Sequence, residues 1–311
     1  MASPSRAALR RSDTTPAPVD VLAGAGWRAL PATIIGAGAA GSALAHAWHA
    51  AGGRVVAVAS RTLARADALA RAVGLTAATP DLGMAAQQAR IVVLAVPDGA
   101  IADVAAAIAW RPGQIAVHLS GALGVAPLAA ASARGAEVVA FHPLCAFARG
   151  APPALLPGTR FGYTGPETLR PLFEALAHDL GGVLLPVPEE GRTLYHAAAV
   201  LASNDLVALT GAAVDALGRA GIAADEALAA LLPLIQSTVD NLARQGLPGA
   251  LTGPLVRGDL ATVRRHRTAL GDTPLRRIYD ALASQAARLA LRRADVPEAA
   301  RTALVELAED G

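Results

Sequence analysis

Residues 32–50, ATIIGAGAAGSALAHAWHA, decide the fold that we expect for this chain of 311 residues. The first part, residues 32–37, is an apolar run typical of a short buried strand, and residues 40–51 have the composition of a helix that stops at Gly52-Gly53. Between them stands GAGAAG, residues 36–41, a G-x-G-x-x-G sequence. A strand, this glycine pattern and a helix in immediate succession are typical of a dinucleotide-binding βαβ unit.

Each glycine of this loop has its own expected role. Gly36 makes the tight turn, Gly38 lets the backbone approach a pyrophosphate, and Gly41 allows the helix to pack closely on the strand. Ala39 and Ala40 open the helix, whose N-terminal N–H groups would face the phosphates. We therefore predict that these five residues bind the cofactor.

The end of the second strand distinguishes between the two nicotinamide cofactors. An NAD site usually places an acidic residue there for the ribose hydroxyls, whereas this chain has Ser60, Arg61 and Thr62. A guanidinium and two hydroxyls suit a 2′-phosphate, so we predict NADP(H). Val96-Pro97 follows the third strand and is expected to line the cofactor groove, while Asp98 is either an N-cap or a ligand contact.

Strands and helices alternate in the first part of the chain, and helices alone fill the second. Strands are expected at residues 32–37, 54–59, 90–96, 114–119, 137–141, 160–164 and 182–187. Helices are expected between them at 40–51, 63–73, 101–110 and 168–180, and then at 189–220, 224–245, 258–270 and 274–294. This alternation predicts an α/β fold with a parallel sheet, followed by an all-α part.

Three segments follow from this pattern. Residues 1–29 are expected to be a flexible tail, and residues 30–188 form an N-terminal Rossmann-like, NADP-binding domain. Residues 189–311 form an all-α C-terminal domain, which we expect to hold the substrate and the dimer contact.

The composition excludes several kinds of chemistry and partner. All 27 basic residues are arginine, so a Schiff base and a phosphate-loop lysine are excluded. The single cysteine, Cys145, rules out an intrachain disulfide. The arginines are scattered and the net charge is only +2, which argues against nucleic-acid binding. Because the chain shows no signal-peptide core, no uninterrupted apolar run of membrane-spanning length and no metal-ligand spacing, we expect a cytoplasmic protein with neither membrane nor metal as a partner.

Five motifs further along the chain resemble a known family. They are HLSGAL at 118–123, FHPL at 141–144, YHAAA at 195–199, SN at 203–204 and LTGPLVRGD at 251–259. In these motifs and their order, the chain resembles bacterial proteins in which a Rossmann-like domain precedes a DUF2520 domain. That family is grouped with the 6-phosphogluconate dehydrogenase-like reductases, among them ketopantoate reductase, prephenate dehydrogenase and pyrroline-5-carboxylate reductase. The resemblance implies a helical domain that closes over the nicotinamide, a homodimer, and ketopantoate reduction.

Two histidines compete for the role of proton donor. Ketopantoate reductases use a lysine on the first long helix of the second domain, and the resemblance places His196 near that position with Asn204 eight residues later. Val200 stands where the family pattern has an intermediate asparagine. His142, in FHPL, resembles the His-Pro-Met segment of prephenate dehydrogenases and is expected at a strand end beside the nicotinamide. The alternative for His196 is a buried histidine bonded to a backbone carbonyl.

Other residues are expected to hold the substrate. Ser120 and Gly121 follow a strand, where a hydroxyl and exposed N–H groups could bind a substrate oxygen. Ser203 is expected two turns from His196 on nearly the same helix face. Arg257 could pair bidentately with a carboxylate.

Several nearby residues are given structural roles. Asp259 is interpreted as the N-cap of the helix that follows it. His266 stands among arginines and is interpreted as part of a solvated face.

Together these residues predict an NADPH-dependent reductase of a small 2-keto acid, with ketopantoate as the leading substrate. Two alternatives stay open. One is a dehydrogenase of another carboxylate substrate, of the prephenate type. The other is a non-catalytic NADP(H)-binding sensor, which Val200 and the absent lysine favour.

Overall fold

The computed structural model describes residues 26–76, 78–147 and 157–309. The chain divides into two compact units, Met1–Leu201 and Ala202–Gly311. The domain boundary expected at residue 188 falls inside the first unit. Most of the expected N-terminal tail, residues 1–25, lies outside the described residues.

The first unit is built on a seven-stranded sheet with the order β2-β1-β3-β4-β5-β6-β7. Its strands are β1 (Ala32–Ile35), β2 (Val55–Ala59), β3 (Ile91–Leu94), β4 (Ile115–His118), β5 (Glu137–Pro143), β6 (Arg160–Thr164) and β7 (Val183–Pro186). Each lies where the sequence predicts a strand. All residues of β1 and β3 are buried, as expected of central strands covered by helices on both faces. The α/β prediction is confirmed.

The direction of two strands, β6 and β7, differs from the prediction. Strands β1 to β5 run parallel, but β6 pairs antiparallel with β5, with Ala140 opposite Thr164, and β7 then runs parallel to β6. The sheet is mostly parallel, as predicted, and the β5–β6 pairing is the antiparallel one among its described strands. Apolar and β-branched composition indicates that a segment is extended and buried, but it carries no information about strand direction.

The described helices of the first unit connect and cover these strands. They are α1 (Ala39–Ala50), α2 (Leu63–Ala72), α3 (Leu82–Gln87), α4 (Ile101–Ala107), α5 (Ala129–Ser132), α6 (Arg170–Asp179) and α7 (Arg192–Ala202). The sequence analysis does not predict α3 or α5, which are short. Helix α3 begins at an N-cap that composition alone does not reveal, because the Asp81 carboxylate accepts the Met84 N–H at 2.9 Å.

Trp27 belongs to the folded unit, although the sequence places it in a flexible tail. Its side chain is buried and packs edge-on against Trp48 with ring centroids 5.3 Å apart. Its Nε1–H donates to Asp179 Oδ2 at 2.8 Å. A Cβ at Gly53 would lie 2.3 Å from atoms of both indoles, so this glycine is required for the packing. The two indoles bury a large apolar surface, which fixes the chain well before β1.

The second unit is helical in the described residues. Its helices are α8 (Asn204–Arg219), α9 (Ala224–Gly249), α10 (Leu260–Leu270), α11 (Pro274–Leu291) and α12 (Glu298–Glu309). Its buried core lies mainly between α11 and α12 and includes Ala287 and Leu304. The helix predicted over 189–220 is interrupted, because Ser203 adopts φ −124° and ψ −73°, outside helical geometry.

The stretch Glu189–Arg219, which Ser203 interrupts, has the length and mean hydropathy (1.5) of a membrane-spanning helix. This property alone is weak evidence for a membrane span, because helices at apolar interfaces of proteins in water share it.

Candidate active site

The glycine loop has a distinct requirement at each of its three glycines. Gly36 has φ +113°, and a Cβ there would lie 2.1 Å from the Ala95 carbonyl oxygen. A Cβ at Gly41 would lie 2.3 Å from the Gly36 carbonyl oxygen and 2.7 Å from Ala95 Cβ. A Cβ at Gly38 would meet no other atom within 4 Å. Gly36 and Gly41 thus hold the turn against β3, while Gly38 leaves open space at the strand edge.

Helix α1 begins directly after Gly38 and leaves its first N–H groups available. Gly38 occupies the N-cap position and provides no side chain to accept a hydrogen bond, and Ala39 is exposed. The uncapped N–H groups and the positive end of the helix dipole form an anion site. Open space at Gly38 beside these donors fits a pyrophosphate.

Arg61 lies at the same edge of the sheet, after β2, which pairs parallel with β1. Its side chain is exposed and makes no hydrogen bond or ion pair with any described residue. Beside it the Thr62 N–H donates to Ser60 Oγ at 3.4 Å. Val96 and Pro97 follow β3, which pairs with β1 on the side opposite β2. Val96 is half-buried and Pro97 is exposed. The residues predicted to bind the cofactor thus all follow the carboxyl ends of the neighbouring parallel strands β1, β2 and β3.

Ser120 and Asp98 join the ends of β4 and β3. Ser120 Oγ donates to Asp98 Oδ2 at 2.8 Å and accepts the Leu123 N–H at 3.1 Å. Of the two roles expected for Asp98, the capping role is wrong, because the N-cap position of α4 is Ala100 and no side chain caps that helix. The Ser120 hydroxyl, which was expected to bind the substrate, is hydrogen-bonded to Asp98 and Leu123 in this structure.

His118 holds the same turn through two hydrogen bonds. Its Nδ1 accepts the Ser120 N–H at 3.1 Å, which makes Nε2 the donor to the Gly124 carbonyl at 2.7 Å. Burial lowers the pKa of this histidine, so it is neutral at pH 7. His118 therefore has a structural role, shaping residues 120–124.

His142, at the end of β5, is bonded to Tyr195 on α7. His142 Nδ1 and Tyr195 Oη lie 2.9 Å apart, and the two rings are perpendicular. Burial lowers the pKa of His142 to about 4, with further lowering by the charges of Arg192 and His196. Burial also raises the pKa of Tyr195. At neutral pH this pair is an uncharged imidazole bonded to an uncharged phenol.

His196 approaches His142 over Gly121. The ring centroids of the two histidines lie 6.3 Å apart, and a Cβ at Gly121 would lie 2.8 Å from His196 Nδ1 and 3.0 Å from His142 Nε2. His196 Nδ1 is buried and has no hydrogen-bond partner in the described chain. The structure thus brings together His142, His196 and Gly121, three of the predicted site residues. The alternative of a histidine whose Nδ1 is bonded to a backbone carbonyl does not describe His196.

Three further residues of this region are absent from the sequence predictions. Glu189 accepts the Val125 N–H through both carboxylate oxygens, at 3.0 and 3.2 Å. Tyr195 bonds His142, and Arg192 is buried with its guanidinium centre 5.7 Å from the centroid of the Tyr195 ring. Arg192 precedes Tyr195 by three residues and His196 by four, and residues so spaced share a helix face, so the position of Arg192 was a usable signal.

The remaining predicted residues lie in the second unit. Ser203 interrupts the helix and Asn204 begins α8, exposed, so they do not share one continuous helix with His196 as expected. Arg257 is exposed. Asp259 caps α10 by accepting the Thr262 N–H at 3.0 Å, which confirms the prediction. The substrate contacts of Ser203, Asn204 and Arg257 stay predictions.

The sequence models of two domain families match the chain. The Rossmann-like domain matches residues 17–143, and the domain of unknown function DUF2520 matches residues 159–286. The chain carries a Rossmann-like domain followed by a DUF2520 domain. The DUF2520 match includes β6, β7 and α7, so His196 and Tyr195 belong to it while His142 belongs to the Rossmann-like match.

Solved structures share this architecture. A Bacteroides fragilis protein described as a candidate NADP oxidoreductase is 25% identical over 83% of this chain and 97% of its own, with a TM-score of 0.65. Protein TM1727 from Thermotoga maritima is 25% identical over 84% and 98%, with a TM-score of 0.68. An imine reductase from Myxococcus stipitatus in complex with NADP+ is 20% identical over 89% and 99%, with a TM-score of 0.60, and shows likeness of fold. No curated protein matches the chain.

Proposed function

We propose that this protein is an NADP(H)-dependent reductase of a small 2-keto acid, with ketopantoate as the first candidate substrate. One observation carries the proposal: His142 and His196 converge over Gly121. They do so beside the carboxyl ends of β4 and β5, in the sheet whose β1 leads into the glycine loop. Ligands of open α/β sheets bind outside these strand ends.

The cofactor assignment is supported by the loop and by Arg61. Open space at Gly38 and the free N-terminus of α1 suit a pyrophosphate, and the unpaired guanidinium of Arg61 suits a 2′-phosphate. The solved relatives add support, since one is described as a candidate NADP oxidoreductase and another is in complex with NADP+.

The two histidines would divide the work of carbonyl reduction. When bound, NADPH supplies the hydride. The oxygen that gains negative charge needs a proton, and His196 is the better donor because its Nδ1 makes no hydrogen bond with any described residue. His142 is a poor donor, since a pKa of about 4 keeps it neutral. Its Nδ1 is bonded to Tyr195, which fixes its ring and leaves Nε2 near Gly121 for the substrate.

NADPH oxidation by the purified protein tests this proposal. Ketopantoate, pyruvate and 2-ketoisovalerate are offered separately, each with NADPH and with NADH. We expect turnover with NADPH and fastest with ketopantoate. Faster turnover with another carboxylate would replace ketopantoate as the substrate. Tight NADPH binding with no oxidation by any of them would favour the sensor.

We also propose that the protein is a cytoplasmic homodimer formed through its second unit. Helices α8 and α9 expose large apolar side chains: Leu206, Val207, Leu209, Leu228, Leu232, Leu234, Val239 and Leu242. An apolar surface of this extent is expected to be covered. Sedimentation velocity without detergent should give twice the monomer mass, and Leu232→Asp, which charges the 54%-exposed position on α9, should yield monomer. A wild-type monomer, or recovery only in detergent, would contradict the proposal.

A further inference from the structure

Arg192 is a buried cation without a partner. It opens α7, only 1% of its surface is exposed, and its Nε, Nη1 and Nη2 atoms all lack a hydrogen-bond partner in the described chain. Proteins rarely bury an arginine in this way, because removing the charge from water is costly unless an anion or several acceptors replace the water. The described residues therefore leave the cation without a hydrogen-bonded counter-charge.

The nearby carboxylates do not fill this role. Burial lowers the pKa of Arg192, and the nearby charge of Glu189 does not reverse this direction; both Glu189 oxygens accept the Val125 N–H. The Asp98 carboxylate accepts a hydrogen bond from the Ser120 hydroxyl. Neither carboxylate lies within 4.0 Å of the guanidinium nitrogens, since no salt bridge joins them among the described residues.

The charge of Arg192 acts on the candidate active site. The guanidinium lies over the Tyr195 ring, and Tyr195 bonds His142. Arg192 and His196 are four residues apart on α7, hence on the same face of the helix. In a region screened from water, a unit charge is felt over several ångströms. The positive potential therefore extends across His142 and His196, where the substrate is expected.

We propose that the missing counter-charge of Arg192 is the carboxylate of the substrate, so that Arg192 selects anionic over neutral carbonyl compounds. This inference rests on the proposed function, which places the substrate at His142 and His196. It names a different cation from Arg257, which is exposed and therefore screened by water.

Isothermal titration calorimetry on the NADP+-loaded protein tests the proposal with a matched pair of probes. Oxamate carries a carboxylate, and oxamide is its neutral counterpart. Wild-type protein should bind oxamate and prefer it over oxamide. Arg192→Met should weaken oxamate binding about 30-fold or more, as expected when one partner of a buried charge pair is removed. Oxamide binding should change little, and Arg192→Lys should retain part of the preference.

Two controls separate a charge effect from damage to the fold. Arg71→Met removes an exposed arginine of the same unit, on α2, and should bind oxamate as wild type does. Thermal unfolding of Arg192→Met without ligand should occur at the wild-type temperature or above it, because the substitution removes an unpaired buried charge.

The binding measurements distinguish a carboxylate-binding role of Arg192 from a structural one. No oxamate binding by wild type, or an unchanged preference in Arg192→Met, would overturn the role of Arg192. Loss of oxamate and oxamide binding together would also overturn it, since that outcome indicates a general structural role. Oxamate binding that depends on Arg192, without turnover of any keto acid, would uphold the anion site and reject the proposed reduction.

Discussion

His142 Nδ1 lies 2.9 Å from Tyr195 Oη, and this bond joins the end of β5 to the first turns of α7. The contact is close because Gly162, opposite His142 on β6, has no side chain: a Cβ there would lie 2.6 Å from Tyr195 Oη. The antiparallel β5–β6 pair thus leaves the space in which Tyr195 of α7 contacts His142. The same helix carries His196 and Arg192.

The two histidines should respond differently to substitution. His196→Asn removes the proposed proton donor and should lower kcat/KM for the keto acid by about 10²–10⁴-fold, the usual contribution of general acid catalysis. NADPH affinity should stay near the wild-type value. His142→Asn should have the smaller effect on kcat. Steady-state kinetics and fluorescence titration with NADPH measure both; loss of turnover in His142→Asn with retention in His196→Asn would reverse the assignment.

The depressed pKa of His142 predicts a pH dependence of stability. Its pKa is about 4 when folded and 6.5 in the reference state. Between these values the unfolded chain binds a proton that the folded chain does not, so the free energy of unfolding falls as the pH drops from 6.5 to 4. The maximum loss from this group is about 3 kcal/mol. The pH dependence from this group fades about one pH unit above 6.5, where the unfolded chain no longer binds the proton either.

Urea unfolding of wild type and His142→Asn at several pH values from 7.5 to 4 measures this contribution. The variant should lose less stability than wild type over that range. His49→Asn, which removes an exposed histidine of α1, should follow the wild-type curve. Parallel curves for wild type and His142→Asn would show that His142 is protonated in the folded protein as readily as in the unfolded one.

The sequence predicts the strands of the sheet more completely than it predicts the contacts in the candidate active site. The seven strands follow from runs such as residues 91–94, whose residues are all buried, and the glycine loop follows from a local pattern with one geometric solution. The reversal of β6 and β7 was missed because strand direction depends on pairing between distant segments. Trp27 was missed because its partners, Trp48 and Asp179, are remote in sequence.

The site residues show the same limit. His142 and His196 were predicted individually, but their convergence over Gly121 depends on where β5 and α7 pack. The buried state of Arg192 was not predictable, because an arginine at a helix start is ordinarily solvated. The spacing of three and four residues would have placed Arg192 near both Tyr195 and His196 on the helix, which is the part of the signal that the sequence did contain.

Gly38 allows a test of cofactor binding that leaves the fold intact. Its φ of −80° is accessible to any residue, and a Cβ would meet nothing within 4 Å. The free energy of unfolding of Gly38→Ala should therefore lie within about 0.5 kcal/mol of the wild-type value. The methyl group would occupy the space where a pyrophosphate approaches, so NADPH affinity should fall about tenfold or more. Gly218→Ala, an unhindered helical position in α8, is the matched control. Wild-type NADPH affinity in Gly38→Ala would contradict the expected approach.

Arg61 should determine the choice between NADPH and NADH. Its guanidinium is exposed and unpaired within the described chain, so binding a 2′-phosphate would add charge-assisted hydrogen bonds worth about 1.5–3 kcal/mol. Arg61→Gln should therefore weaken NADPH binding by roughly 10–100-fold and leave NADH binding unchanged. Arg65→Gln, at another exposed arginine four residues later on α2, should change neither. Equal losses for both cofactors in Arg61→Gln would place Arg61 away from the 2′-phosphate and remove the main argument for NADP(H) over NAD(H) that this chain's own residues provide.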